Sequence, residues 1–133
     1  MKCLVVEDQE MVRELMVIHL MDYCEVDTAA DGVEGVALFS RALEEQRPYQ
    51  LVCLDIQMPN MDGQEALKQM RRLEMEDSNS QGKAVIIMTT ASNEVTDIEE
   101  ALWQGDCTDY LVKPVNPEDL LALLKKNKIV ECV

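Results

Sequence analysis

The chain has 133 residues, 47% of them apolar, and a formal net charge of −14 at pH 7. That length supplies one domain with a real core and falls short of two. So acidic a surface repels phosphate backbones, which argues against direct nucleic-acid binding, and its plainest effect is solubility. No stretch approaches the roughly 18 uninterrupted apolar residues of a membrane span. Met1-Lys2 leads straight into a strand pattern with nothing of a signal peptide, so a cytoplasmic protein without membrane insertion is expected. The five cysteines, Cys3, Cys24, Cys53, Cys107 and Cys132, are odd in number and form no C-x-x-C pair. They are expected to be free, largely buried thiols of a reducing compartment rather than disulfides or zinc ligands.

In chain order, Cys3-Leu4-Val5-Val6 reads as a buried strand that stops at Glu7-Asp8. The first helix follows, with Val12, Leu15, Met16, His19 and Leu20 on one apolar stripe. His19 is the only histidine and has no second ligand near it, which favours a partly buried structural role. Glu25-Val26-Asp27-Thr28-Ala29 alternates polar and apolar, the pattern of an edge strand. After the Asp31-Gly32 turn, a second helix turns Val36, Phe39 and Leu43 inward and closes at Arg47-Pro48.

The apolar run from Leu51 to Leu54 ends at Asp55 and reads as a strand buried on both faces. A loop through Met58-Pro59-Asn60-Met61-Asp62-Gly63 leads to a third helix presenting Ala66, Leu67, Met70 and Leu73. Glu76-Asp77-Ser78-Asn79-Ser80-Gln81-Gly82 is a polar surface loop. Ala84-Val85-Ile86-Ile87-Met88 is another buried strand, ending at Thr89-Thr90. A helix carrying Val95, Ile98, Ala101 and Leu102 then stops at Gly105. Tyr110-Leu111-Val112 is a short last strand before Lys113-Pro114, and a final helix starts near Pro117 with Leu120, Leu121 and Leu124 inward.

Strand and helix thus alternate five times, which forces a parallel sheet with helices on both faces. The first, third and fourth strands look buried and the second and fifth look like edges. The doubly wound order 2-1-3-4-5 satisfies that sorting.

In such a sheet the residues just past each strand collect along one edge: Glu7, Asp8, Asp55, Thr89 or Thr90, and Lys113. Carboxylates crowded together repel one another unless a cation joins them, and an all-oxygen donor set suits Mg²⁺. A carboxylate can attack phosphorus to give an acyl phosphate. The charge on a transferring phosphoryl group calls for a cation, a lysine and a hydroxyl donor. The edge therefore looks built to carry a phosphoryl group on Asp55.

At these positions the chain resembles the receiver domain of two-component response regulators over nearly its whole length, and most of all the stand-alone chemotaxis-type receivers. The residues that carry the resemblance are Glu7-Asp8, Leu54-Asp55-Ile56-Gln57-Met58-Pro59, Asn60-Met61-Asp62-Gly63, Thr90-Ala91 and Tyr110-Leu111-Val112-Lys113-Pro114. The resemblance implies a (βα)5 flavodoxin-like three-layer sandwich, one receiver domain over residues 1–133, and Asp55 as phosphoacceptor. It implies Mg²⁺, or Mn²⁺, held by Asp8, Asp55 and the backbone carbonyl of Gln57, with Glu7 acting through water. It makes Thr90 the switch hydroxyl, Lys113 the phosphoryl partner across a cis Lys113-Pro114 bond, and Tyr110 the switch aromatic. It also implies that Gln57 and Ser92 tune the phosphorylated lifetime, and that a histidine kinase or histidine phosphotransfer protein is the donor. Phosphorylation is expected to bias the surface made by the helix through Val95, the last strand and the final helix, near Trp103, toward a downstream protein target. The protein itself is expected to be a monomer or a phosphorylation-linked homodimer.

Two other chemistries fit less well. An aspartate-nucleophile phosphatase needs a second acid two residues after the first, and that position is Gln57. An FMN carrier needs a phosphate-cradling loop after the first strand, where Glu7-Asp8-Gln9-Glu10 would repel phosphate. The sequence reads as a signalling switch rather than an enzyme. A stand-alone receiver is the expected form, with the receiver portion of a longer, for example DNA-binding, regulator as the alternative.

Overall fold

The computed structural model describes residues 1–58, 60–77, 83–90 and 107–129. Its strands are β1 (Lys2–Val6), β2 (Glu25–Ala29), β3 (Leu51–Asp55), β4 (Val85–Thr90) and β5 (Asp109–Val112). They form one parallel sheet in the order β2-β1-β3-β4-β5, the expected order, which is consistent with the burial pattern of the sequence. The described helices are α1 (Glu10–Leu20), α2 (Gly32–Glu44), α3 (Gly63–Glu76) and a C-terminal helix (Pro117–Lys126). The expected helix through Val95, Ile98, Ala101 and Leu102, with Ser92, Trp103 and Gly105, lies outside the described residues, as do Pro59, most of the polar loop after α3 and the last four positions.

Strand alternation splits the core into two layers. Leu4, Val6, Val52, Leu54, Ile86 and Met88 face α2 and α3, where they meet Phe39, Ala42, Ala66, Leu67 and Met70. Cys3, Val5, Leu51, Cys53 and Ile87 face α1 and the C-terminal helix, meeting Met16, Leu20, Leu120 and Leu124. Burying each such large side chain contributes about 1.5–3 kcal/mol, and the sheet's residues are divided between the two faces. Side-chain caps start three helices: Asp31 accepts from Glu34 N, Asp62 from Glu65 N and Asn116 from Glu118 N. Pro117 occupies the start of the C-terminal helix, where its missing N–H costs nothing.

Three expectations change. Leu15 belongs to the heptad-like stripe of α1 but is 48% exposed, because the sheet reaches only the Met16–Leu20 side of that helix. Glu76 belongs to α3 rather than to the loop after it.

The cysteines also differ: Cys3 and Cys24 are disulfide-bonded, while Cys53 and Cys107 are buried and in no disulfide. Cys3 pairs in register with Val26, so Cys24 enters β2 beside the start of β1 with the two Cα atoms 6.2 Å apart. That is within bridging range, and it arises from strand pairing across 21 positions rather than from any local spacing. Cysteine usage accordingly gives no support to a reducing compartment. No helix among the described residues is long and apolar enough to cross a membrane.

Candidate functional site

The carboxyl ends of β1, β3, β4 and β5 bring together the groups that the sequence scattered. Asp55 closes β3 and is 3% exposed, and Glu7, one residue past β1, is equally buried. Asp8 follows at the surface. Carboxylate oxygens of Glu7, Asp8 and Asp55 all lie within 4.8 Å of one another. Lys113, one residue past β5, reaches back so that its Nζ bonds Glu7 Oε1 and lies 3.1 Å from Asp55 Oδ2. The Lys113 backbone N–H donates to the Thr90 carbonyl at 2.7 Å, and the Lys113–Pro114 peptide is cis, as the resemblance implied.

The backbone holds each acid in place. Glu7 N–H donates to the Ala29 carbonyl at 3.0 Å, and Arg13 donates to the Glu7 carbonyl at 2.9 Å. The Ile56 N–H donates to the Thr89 carbonyl at 2.9 Å, and the Gln57 N–H donates to Asp55 Oδ1 at 3.2 Å. Gly63 opens α3 directly against the Asp55 carbonyl oxygen, and a Cβ at that position would overlap it. This close approach is what glycine permits there.

Electrostatically the site is overloaded with negative charge. Burial is the main reason that Glu7 is pushed up to about 7, and the neighbouring Asp55 carboxylate adds to the rise while Lys113 opposes it. Burial alone would lower Lys113, but its bonds to Glu7 and Asp55 hold it above the usual lysine range. The second Glu7 oxygen, Oε2, is buried and has no hydrogen-bond partner among the described residues. An orphaned buried carboxylate oxygen among three acids is what a hard divalent cation, or water bound to one, would satisfy, so the donor set fits Mg²⁺.

Thr89 and Thr90 are both buried; Thr89 stands in register with Asp55, and Thr90 with Val112. Tyr110 sits on the edge strand and is 36% exposed. Gln57 is exposed beside Asp55, and Ser92 lies outside the described residues. A groove of about 590 Å³ runs from Asp8, Asp55 and Lys113 along α1, past Leu15 and His19, to Val115. His19 is partly buried, as expected, and also lines this groove.

Sequence reasoning missed the contacts that brace this edge. Asn60 Nδ2 donates to Asp31 Oδ2 at 2.9 Å, tying the loop after β3 to the start of α2, and nothing in the local pattern announces it. A buried pair on α3, Arg71 and Glu74, was also missed. That pair had a signal, because Arg71 and Glu74 continue the stripe set by Leu67 and Met70 at helical spacing.

The family described as the response regulator receiver domain matches residues 3–125. Among solved structures, the Vibrio cholerae chemotaxis protein CheY4 is 32% identical with a TM-score of 0.77, covering 94% of this chain and 96% of that one. The receiver domain of the Arabidopsis thaliana histidine kinase CKI1, complexed with Mg²⁺ and BeF3⁻, gives 26% identity and a TM-score of 0.83 over 96% of this chain and 89% of that one. The co-crystal structure of the Saccharomyces cerevisiae histidine phosphotransfer protein Ypd1 with the receiver domain of its downstream response regulator Ssk1 gives 30% identity and a TM-score of 0.81, covering 95% and 87%. The chain spans about half the length of most of the curated relatives it matches. One is a probable transcriptional regulator ycf27 of Porphyridium aerugineum, 33% identical over 126 residues, which are 93% of this chain and 46% of that protein.

Proposed function

The chain belongs to the response regulator receiver domain family, and from that premise we propose that residues 1–133 form one phosphoacceptor switch whose acceptor is Asp55. The family is one of signalling phosphoacceptors rather than enzymes acting on a separate substrate. The single observation that carries the assignment is the orphaned Glu7 Oε2 inside a three-carboxylate cluster that Lys113 only partly neutralises.

In the proposed step a carboxylate oxygen of Asp55 attacks the phosphorus of a phosphohistidine. A P–O bond forms, the P–N bond breaks, and its electron pair returns to the imidazole nitrogen. Asp8, Asp55 and the Gln57 backbone carbonyl would hold Mg²⁺ or Mn²⁺, with Glu7 acting through water. When bound, the cation offsets the repulsion between the two anions and the charge on the phosphoryl oxygens. Lys113, already against Asp55, needs only a small shift to pair with a phosphoryl oxygen. The Thr90 hydroxyl is drawn to the same group, and Tyr110 turns inward from its half-exposed position. The resulting population shift alters the β5 and C-terminal helix surface read by a downstream protein. Gln57, exposed at the acceptor, governs how water reaches the phosphoryl group, with Ser92 as a second tuning position.

A histidine phosphotransfer protein or histidine kinase is the proposed donor, as for the Ssk1 receiver with Ypd1. The surface of α1 supports this reading. Met11, Leu15 and Ile18 form an exposed apolar row beside the groove that leads to Asp55. A helical donor laid on that row would bring its histidine to the acceptor edge. The proposed location is the cytoplasm, on the strength of that donor.

The test is intact mass after incubation with acetyl phosphate, with and without Mg²⁺, beside Asp55→Asn. A Mg²⁺-dependent phosphoryl gain that the variant loses is expected. No gain under either condition would sink the assignment and leave a phosphorylation-independent interaction module. A second reading, that this receiver is part of a longer regulator, is favoured by the roughly twofold greater length of the curated relatives. The reading frame of the gene decides between it and a stand-alone switch.

A further inference from the structure

The loop after β3 is closed at both ends. The Gly63 N–H donates to the Ile56 carbonyl at 2.8 Å, and Asp62 caps α3 through Glu65 N at 2.9 Å. Met58 and Met61 pack against the core between the sheet and α2–α3. The far side of the loop rests on another element altogether. Asn60 adopts φ 69°, a left-handed conformation that asparagine tolerates better than most side chains. From there its amide donates to Asp31 Oδ2 at 2.9 Å, while Asp31 Oδ1 caps α2 by accepting from Glu34 N at 2.8 Å. One residue on, the Met61 carbonyl oxygen lies so close to Gly32 that a Cβ there would fall 2.5 Å from it. The described part of the loop is thus pinned to the first turn of α2 by one side-chain hydrogen bond and one backbone contact.

Between that pin and Asp55 sits Gln57. Its N–H is committed to Asp55 Oδ1, so the direction of its carbonyl is set by the chain that follows. We propose that Asn60 is a positioning residue: with Asp31 it anchors the loop on α2 and so fixes the Gln57 carbonyl toward the acid cluster. This rests on the metal site proposed above, in which that carbonyl is a ligand. Without the anchor the loop samples more conformations, and metal binding must bear the cost of ordering it. Because the anchor is a surface hydrogen bond, its loss leaves the two core layers untouched.

The experiment is calorimetric titration with Mn²⁺ of the wild type, Asn60→Gly, Asp31→Ser, the double variant and Asp8→Asn. Glycine keeps the positive φ without the amide, and serine keeps the helix cap while being too short to reach Asn60. Each single change is expected to weaken Mn²⁺ binding roughly three- to tenfold, with a thermal midpoint near that of the wild type. The double variant should be no weaker than the worse single one, since both remove the same bond. Wild-type affinity in Asn60→Gly with binding lost in Asp8→Asn overturns the positioning role alone, as does a double variant in which the two losses multiply. No Mn²⁺ binding by the wild type, or unchanged binding in Asp8→Asn, overturns the metal site and this proposal with it.

Discussion

Two buried charged clusters lie at opposite ends of the same sheet, and they are built to opposite rules. At the amino edge Arg71 donates to Glu74 Oε1 at 2.7 Å, to the Ala84 carbonyl at 2.9 Å and to Thr108 Oγ1 at 3.5 Å. The remaining Glu74 oxygen accepts from the Ala84 N–H at 2.6 Å, and Thr108 Oγ1 accepts from the Ile86 N–H at 3.0 Å. Among the described residues one cation faces one anion, and both Glu74 oxygens are used. At the carboxyl edge, among the described residues, a single lysine faces Glu7 and Asp55, with Asp8 beside them and Glu7 Oε2 unpartnered. A closed cluster holds α3 to the starts of β4 and β5. An open one, short of positive charge, is the one proposed above to take a cation and a phosphoryl group.

The largest expected effect comes from breaking the closed cluster. Glu74→Ala strands a buried guanidinium and the Ala84 N–H, and should lower unfolding free energy by about 3–5 kcal/mol, read by urea denaturation. The protein that remains folded should bind Mg²⁺ as before; a parallel loss of affinity would mean that the two ends are not independent.

Opening the other cluster further acts through pH. Because Glu7 is raised to about 7 from an ordinary 4.5, the folded state holds a proton there that the unfolded chain has released. Stability from this group is therefore full at low pH and falls as pH rises across that window. Glu7→Gln removes that slope without divalent metal present, so its stability relative to wild type should improve between about pH 5 and about pH 8. The same change should weaken Mg²⁺ binding roughly tenfold. If the wild-type and variant curves run parallel across that range, Glu7 is not the titrating group.

The smallest effect sharpens the choice between the two threonines. Register makes Thr89 the cross-strand neighbour of Asp55, whereas the resemblance assigns the switch to Thr90. Thr90→Ala should still accept phosphoryl groups from acetyl phosphate but erase the phosphorylation-dependent NMR shift at Tyr110. Thr89→Ala should keep that shift. The reverse result would move the switch hydroxyl to Thr89.

Much of this was written locally in the chain. Short apolar runs ending in Glu7-Asp8, Asp55, Thr89-Thr90 and Lys113 reported both the strands and the edge on which chemistry collects, because a parallel sheet turns every carboxyl end the same way. The relative burial of those runs even sorted centre from edge. Other features were not legible. Leu15 satisfies the helical period yet faces solvent, since periodicity gives a face and not the extent of what covers it. Arg71 and Glu74 lie on the stripe of Leu67 and Met70, which marks them as inward, but their partners on β4 appear only when α3 is laid over its start.

The sequence by itself determined the order of elements, the identity of the acids, the lysine and the hydroxyls, and the edge they share, since each depends on residues a few positions apart. Only the tertiary structure decided the pairings: Cys3 with Cys24, Lys113 with both Glu7 and Asp55, Asn60 with Asp31, and which Glu7 oxygen is left without a partner. Those depend on strand register and on where a loop comes to rest. Register couples positions tens of residues apart, and no local pattern of side chains encodes it.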